Sequence, residues 1–125
     1  MKTIEKITDI ISEILDVDPG EITPETYLVR DLDAESIDLL ELALELGAGF
    51  DVQVRDHDLF LRDLRILSEE AAQNGQDPAD CIRGRLPHIP DERAMEMIAD
   101  LEGGPVLKVA DLVSYIDYLT EDSHA

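Results

Sequence analysis

Between Ser36 and Phe50 the apolar residues fall into two stripes at helical spacing, Ile37-Leu40-Leu44 and Leu39-Leu42-Ala43-Leu46. A helix lying on a core needs only one such stripe. The segment predicts a helix from Ser36 to about Leu46 or Phe50, with one face turned to a bundle core. The other face either serves a partner or is covered by a segment from elsewhere in the chain. Gly47 and Gly49 each weaken a helix by roughly 1 kcal/mol against alanine, so its end is predicted to fray, bend or stop early.

The flanking chain repeats the helical period. Ile4, Ile7, Ile10, Ile11, Ile14 and Leu15 predict a helix over 2–16, and Asp18-Pro19-Gly20 supplies the turn that ends it. Residues 21–31 keep no period and read as a long loop anchored by Ile22, Tyr27 and Leu28. Leu59, Phe60, Leu64, Leu67 and Ala71 predict one helix over 56–73, closed by Asn74-Gly75. Asp77-Pro78 opens a short turn holding Cys81 and Ile82. Residues 83–90 read as a loop with the densest positive charge, and Asp91 begins a helix that Gly103-Gly104-Pro105 stops. Val109, Leu112, Val113, Ile116 and Leu119 predict a last helix over 108–120. With no tryptophan and 4% aromatics, an all-α bundle is expected rather than a sandwich of aromatic and β-branched strands.

The net charge of −20 excludes nucleic acid and anionic membrane as partners and favours basic protein surfaces. The acidity is concentrated toward the N-terminal side: residues 1–54 hold 14 acidic and 3 basic residues, against 12 and 6 in residues 55–104. No secretory signal, targeting motif or bilayer-length apolar run is legible, so the cytoplasm is the expected compartment and membrane insertion is not expected. Cys81 stands alone and reads as a half-buried structural thiol or, less simply, a reactive one. His57, His88 and His124 form no ligand spacing with it, so no metal is expected.

The chemistry points to Asp31-Leu32-Asp33-Ala34-Glu35-Ser36-Ile37-Asp38-Leu39-Leu40-Glu41-Leu42. Serine is favoured at a helix start because its oxygen caps free backbone N–H groups. A phosphate on such a hydroxyl would meet unpaired donors and the positive end of the helix dipole. The stretch resembles the prosthetic-group site of acyl carrier proteins, whose pattern is Asp-Leu-Gly-Ala-Asp-Ser-Leu-Asp. Asp31-Leu32, Ala34, Ser36-Ile37-Asp38 and Leu40-Glu41-Leu42 fit it, while Asp33 replaces the glycine and Glu35 the aspartate before the serine. Phe50-Asp51-Val52-Gln53-Val54 and Val109–Ile116 also resemble the family.

The resemblance covers residues 1–54 and about 105–120 of a single domain, which makes residues 55–104 a helical insertion before the last helix of a carrier bundle. It implies a protein that is not an enzyme. Ser36 would carry 4′-phosphopantetheine, delivered from coenzyme A by a phosphopantetheinyl transferase, and the arm's thiol would hold acyl groups as thioesters. It also implies that Asp31, Glu35, Ile37, Asp38, Leu40, Glu41 and Leu44 form the docking face of a monomer. That face would meet acyl-loading and acyl-transferring enzymes with basic surfaces. Leu39, Ala43 and Leu46 are the candidates for lining an acyl pocket, which the insertion could widen or guard.

Other readings are weaker. The run Asp31, Asp33, Glu35, Asp38 imitates a calcium loop, but Ser36 stands where glycine is required and Leu42 where the bidentate glutamate belongs. Ser36 lies in no nucleophile elbow. Two alternatives stay open: a helical interaction module without a prosthetic group, and an aminoacyl or peptidyl carrier. The arginines of 83–93 either pair with the acidic body or contact a partner or the arm's phosphate.

Overall fold

The structure, a computed structural model, describes residues 2–122; His124 lies outside them. Among the described residues there are seven α-helices: α1 Thr3–Leu15, α2 Ser36–Phe50, α3 Asp56–Leu59, α4 Leu64–Gln73, α5 Pro78–Arg85, α6 Asp91–Asp100 and α7 Val109–Asp122. The described residues form an all-α bundle with a long loop after α1 and further helices between α2 and α7.

Helix α1 turns Ile7 and Ile11 fully inward and packs against both α2 and α7. It stops at Asp16, which takes the left-handed conformation at φ 55°. Asp18 then accepts the Gly20 N–H at 2.8 Å, closing a 3₁₀ turn over Pro19–Glu21. The long loop that follows is pinned along the chain leading into α7. The Leu28 N–H donates to the Leu107 carbonyl (3.1 Å), and the Val109 and Ala110 N–H groups donate to the carbonyls of Thr26 and Pro24. Ile22 and Leu28 are buried beneath these bonds and Tyr27 is half-buried. The backbone thus delivers residues 31–35 to one fixed place at the head of α2.

Helix α2 does not fray or stop early at its glycines; it runs to Phe50. Gly47 is a place of close approach, while Gly49 has room for a Cβ at ordinary contact distance. A Cβ on Gly47 would come 3.3 Å from the Val52 carbonyl oxygen, and one on Gly49 would lie 3.5 Å from Lys6 Cε and 3.6 Å from Ile10 Cδ1. Tertiary packing here outweighs the propensity cost, and Lys6 Nζ donates to the Gly49 carbonyl across the α1–α2 contact.

Two expectations for the central segment are corrected. Residues 56–73 are not one helix: α3 ends at Leu59, and a turn with Leu61 at φ 56° separates it from α4. Leu59, Phe60, Leu61 and Leu64 are all buried. Three consecutive residues of one helix spread across its circumference, so only a break brings all of them to the same core. Nor is residues 83–90 all loop: Arg83, Gly84 and Arg85 finish α5, which is a full helix rather than a turn. Asn74-Gly75 ends α4 as expected, with Gly75 at φ 69°. Buried residues of the segment between α2 and α7, such as Leu59, Ile82 and Met97, lie in one continuous core with Ile7, Leu46 and Leu112.

Candidate functional site

Ser36 is the first residue of α2 and is exposed, but it is not the cap. Glu35 occupies that position in an extended conformation, and the Asp38 carboxylate accepts the Glu35 N–H at 2.9 Å. This acceptor, three residues into the helix, does the capping that was expected of serine. The Ser36 hydroxyl is left with no hydrogen-bond partner among the described residues. The turn in front of it is tightly held. Asp33 adopts φ 56°, its N–H donating to the Val29 carbonyl at 3.0 Å, and the buried Ala34 donates to the Leu28 carbonyl at 3.1 Å. The position where the acyl carrier pattern has glycine is therefore left-handed, a conformation that aspartate tolerates better than most residues. The Asp31 carboxylate accepts the Tyr27 N–H at 2.9 Å.

Below Ser36 the outer stripe of α2 is bare: Ile37, Leu40 and Leu44 are 70%, 53% and 67% exposed. The helices between α2 and α7 leave this stripe uncovered. Asp31, Glu35 and Glu41 are exposed around it and Asp38 is half-exposed, so all seven expected docking residues share one accessible end and face of the helix. The inner stripe divides differently from the expectation. Leu42, Ala43 and Leu46 are buried in the core, while Leu39 is partly exposed.

Of the three expected pocket residues only Leu39 lines the apolar cavity beside the head of α2; Ala43 and Leu46 do not. Ile11, Ile14 and Leu15 of α1 and Leu28, Ala34, Asp38 and Leu42 complete its walls, and no residue beyond α2 contributes. Its volume is about 10 Å³, space for one water molecule at most. The α1 lining was hidden in the sequence because those isoleucines read simply as core.

The arginines of residues 83–93 are engaged within the chain. Arg83 pairs with Asp80 and, at 2.7 Å, with Asp91; Arg85 pairs with Asp58 at 3.2 Å, and Arg93 with Asp111 at 2.8 Å. Burial pulls the Arg93 guanidinium down, but hydrogen bonds and charge from Asp111 and Glu96 outweigh it and raise its pKa. Cys81 is half-buried, its thiol 3.3 Å from the Gln76 side-chain oxygen. Sequence reasoning missed a second clamp. Arg30, in the loop before Ser36, pairs with Asp100 at 2.6 Å and donates to the Asp100 and Gly104 carbonyls. A hydrogen bond from Arg30 chiefly, with another from Tyr27, holds the Asp100 carboxyl below its ordinary pKa. No local signal marks a pair seventy residues apart.

A helical bundle that presents an unbonded serine hydroxyl at a helix head, above an uncovered apolar stripe, has the form of a carrier domain rather than of a catalyst. A profile of the family described as the phosphopantetheine attachment site matches residues 5–69, and the chain belongs to that family. It is thus a non-catalytic carrier whose prosthetic group is covalently attached 4′-phosphopantetheine. Such carriers interact with a phosphopantetheinyl transferase and with partner enzymes. No helix of the described residues is long and apolar enough to cross a membrane.

Proposed function

We propose that the chain is an acyl carrier whose arm is attached at the Ser36 oxygen. The observation that carries this reading is the exposed, unbonded Ser36 hydroxyl at the head of α2, with Glu35 and Asp38 closing the helix start in its place. When attached, the arm supplies a terminal thiol that holds an acyl group as a thioester. The residues of this chain provide the anchor and the docking face. The first turn of α2 sets backbone N–H groups and the positive end of the helix dipole beside the phosphodiester. The Ile37-Leu40-Leu44 stripe, ringed by Asp31, Glu35, Asp38 and Glu41, offers apolar area and negative charge to a basic enzyme surface. Docking makes the encounter between thioester and active site intramolecular. Arg83, Arg85 and Arg93, already paired, serve the fold rather than the arm. The reading includes a cytoplasmic monomer working in fatty-acid, lipid or polyketide-type synthesis.

The test is the mass of the intact chain after incubation with coenzyme A and a broad-specificity phosphopantetheinyl transferase. The wild type should gain one phosphopantetheine and the Ser36→Ala variant none. Modification of the variant would place the arm elsewhere. A wild type that stays unmodified with several transferases would favour an interaction module without the group.

One observation favours a second reading, an aminoacyl or peptidyl carrier: the cavity beside Leu39 holds about 10 Å³, so a long acyl chain requires the helices to part. Loading the holo-protein with a long-chain acyl group separates the two. Large chemical-shift changes at Ile11, Leu28 and Leu39 support the acyl reading, and shifts confined to Ser36 and its neighbours support the second.

A further inference from the structure

At the far end of α2 from Ser36, a cleft of about 310 Å³ opens between the insertion, the segment after α2 and helix α7. Nothing in the carrier role uses it. Its wall holds His88, 9% exposed, whose Nε2 is buried without a hydrogen-bond partner. A buried polar atom left unpaired is uncommon in a folded protein. The His88 ring stands edge-on to Tyr115, with centroids 5.0 Å apart and planes at 67°, and Tyr118 flanks it at 6.4 Å. The Tyr115 oxygen accepts the Arg55 N–H at 3.0 Å, which leaves its own proton free to donate. Burial lowers the His88 pKa despite the charges of Asp111 and Asp58, so the ring is neutral at pH 7 and can accept or donate.

The residues that line the cleft carry a charge opposite in sign to that of the molecule, with the Asp56 carboxylate acting on Tyr115 from just outside the lining. Arg55 and Arg85 both line it; Asp58 neutralises Arg85 at 3.2 Å, and the Arg55 guanidinium has no ion-pair partner among the described residues. One net positive charge therefore stands beside aromatic rings and Leu86, Pro87 and Leu119, in a protein of net charge −20. A volume near the lower end for ligand pockets suits a small molecule.

We propose that this cleft is a second binding site, for a small organic monocarboxylate with a planar apolar body. The carboxylate takes Arg55 and the Tyr115 hydroxyl, and the body lies against His88 and Tyr118. Because Arg85 and His88 belong to the insertion and Tyr115 and Tyr118 to α7, a bound ligand ties the two together. Such binding stabilises the fold by mass action.

The experiment uses the full Ser36→Ala chain, so that its outcome is independent of the arm. Benzoate and phenylacetate are titrated while amide and histidine ring resonances are followed. Shifts at Gln53, Arg55, His88 and Tyr115 should saturate with one midpoint, while residues 33–40 stay still. Arg55→Gln, an exposed substitution that leaves the fold intact, should raise the midpoint by about tenfold or more, the usual loss for a charged hydrogen bond. Non-saturating shifts with both acids would overturn the proposal. So would an unchanged midpoint in Arg55→Gln, or equal shifts and midpoint with inorganic phosphate.

Discussion

Arg93 grips Asp111 with two nitrogens, Nε to Oδ1 at 2.9 Å and a terminal nitrogen to Oδ2 at 2.8 Å, with the side chains only 11% and 4% exposed. The same Asp111 oxygen accepts the Lys108 N–H at 2.9 Å and so closes the first turn of α7. One carboxylate thus starts the last helix and joins it to α6. Arg93→Ala leaves that carboxylate buried without its charge partner, a situation that costs about 3–5 kcal/mol. Urea denaturation should show a loss of this size, and a loss below about 1 kcal/mol would mean that the pair is solvated in solution.

The Arg30–Asp100 clamp predicts acid sensitivity with a definite sign. The folded-state pKa of Asp100 lies below the ordinary 3.8 because Arg30 binds the charged form. Its contribution to stability is therefore complete above that ordinary value and is lost as pH falls through the depressed one. In Arg30→Gln the stability-versus-pH curve should be flatter in this acid range than in the wild type. Parallel curves would show that Asp100 does not sense Arg30.

His88 adds a second window. Burial lowers its folded pKa below 6.5, so the unfolded chain takes up this proton first as pH falls. Its share of stability is full above 6.5 and declines through the lowered value. Histidine ring shifts against pH should place the His88 midpoint below 6.5, and a midpoint at or above that value would contradict the burial argument.

The two stripes of α2 should respond oppositely. Leu46 is fully buried, and Leu46→Ala should cost about 2–5 kcal/mol in chemical denaturation. Leu44, 67% exposed, should lose no more than about 0.5 kcal/mol as alanine. Leu44→Ala should instead slow transfer to or from a cognate enzyme. If Leu44→Ala were as destabilising as Leu46→Ala, the outer stripe would be covered in solution.

Glycines divide in the same manner. Gly84 lies within α5 with nothing within 4 Å of a would-be Cβ, so Gly84→Ala should stabilise by about 1 kcal/mol. Gly104, at φ 112° and facing Arg30, holds a conformation that alanine resists. Thermal midpoints should move up for the first substitution and down for the second.

Helices α1, α2 and α7, the turn at Asp18, the stop at Asn74-Gly75 and the serine at the head of α2 were all legible in the sequence. Each is written in a local code: apolar residues at helical period, turn residues at fixed offsets, and a short motif. That code says which residues share a face, and so it separated the two stripes of α2. It did not say that Glu35 and Asp38, not Ser36, would close the helix start, because all three residue types can do so.

What the tertiary structure alone decided depends on groups far apart in the chain. Leu61 breaks the expected helix because Leu59, Phe60 and Leu61 must all reach one core; at Gly47 the missing Cβ leaves room for the returning Val52 carbonyl. Arg30 finds Asp100, Arg93 finds Asp111, and His88 meets Tyr115 only once the segment between α2 and α7 has folded against the other helices. Periodicity sets the faces of helices, but burial and charge pairing act at distances that only the packed chain defines.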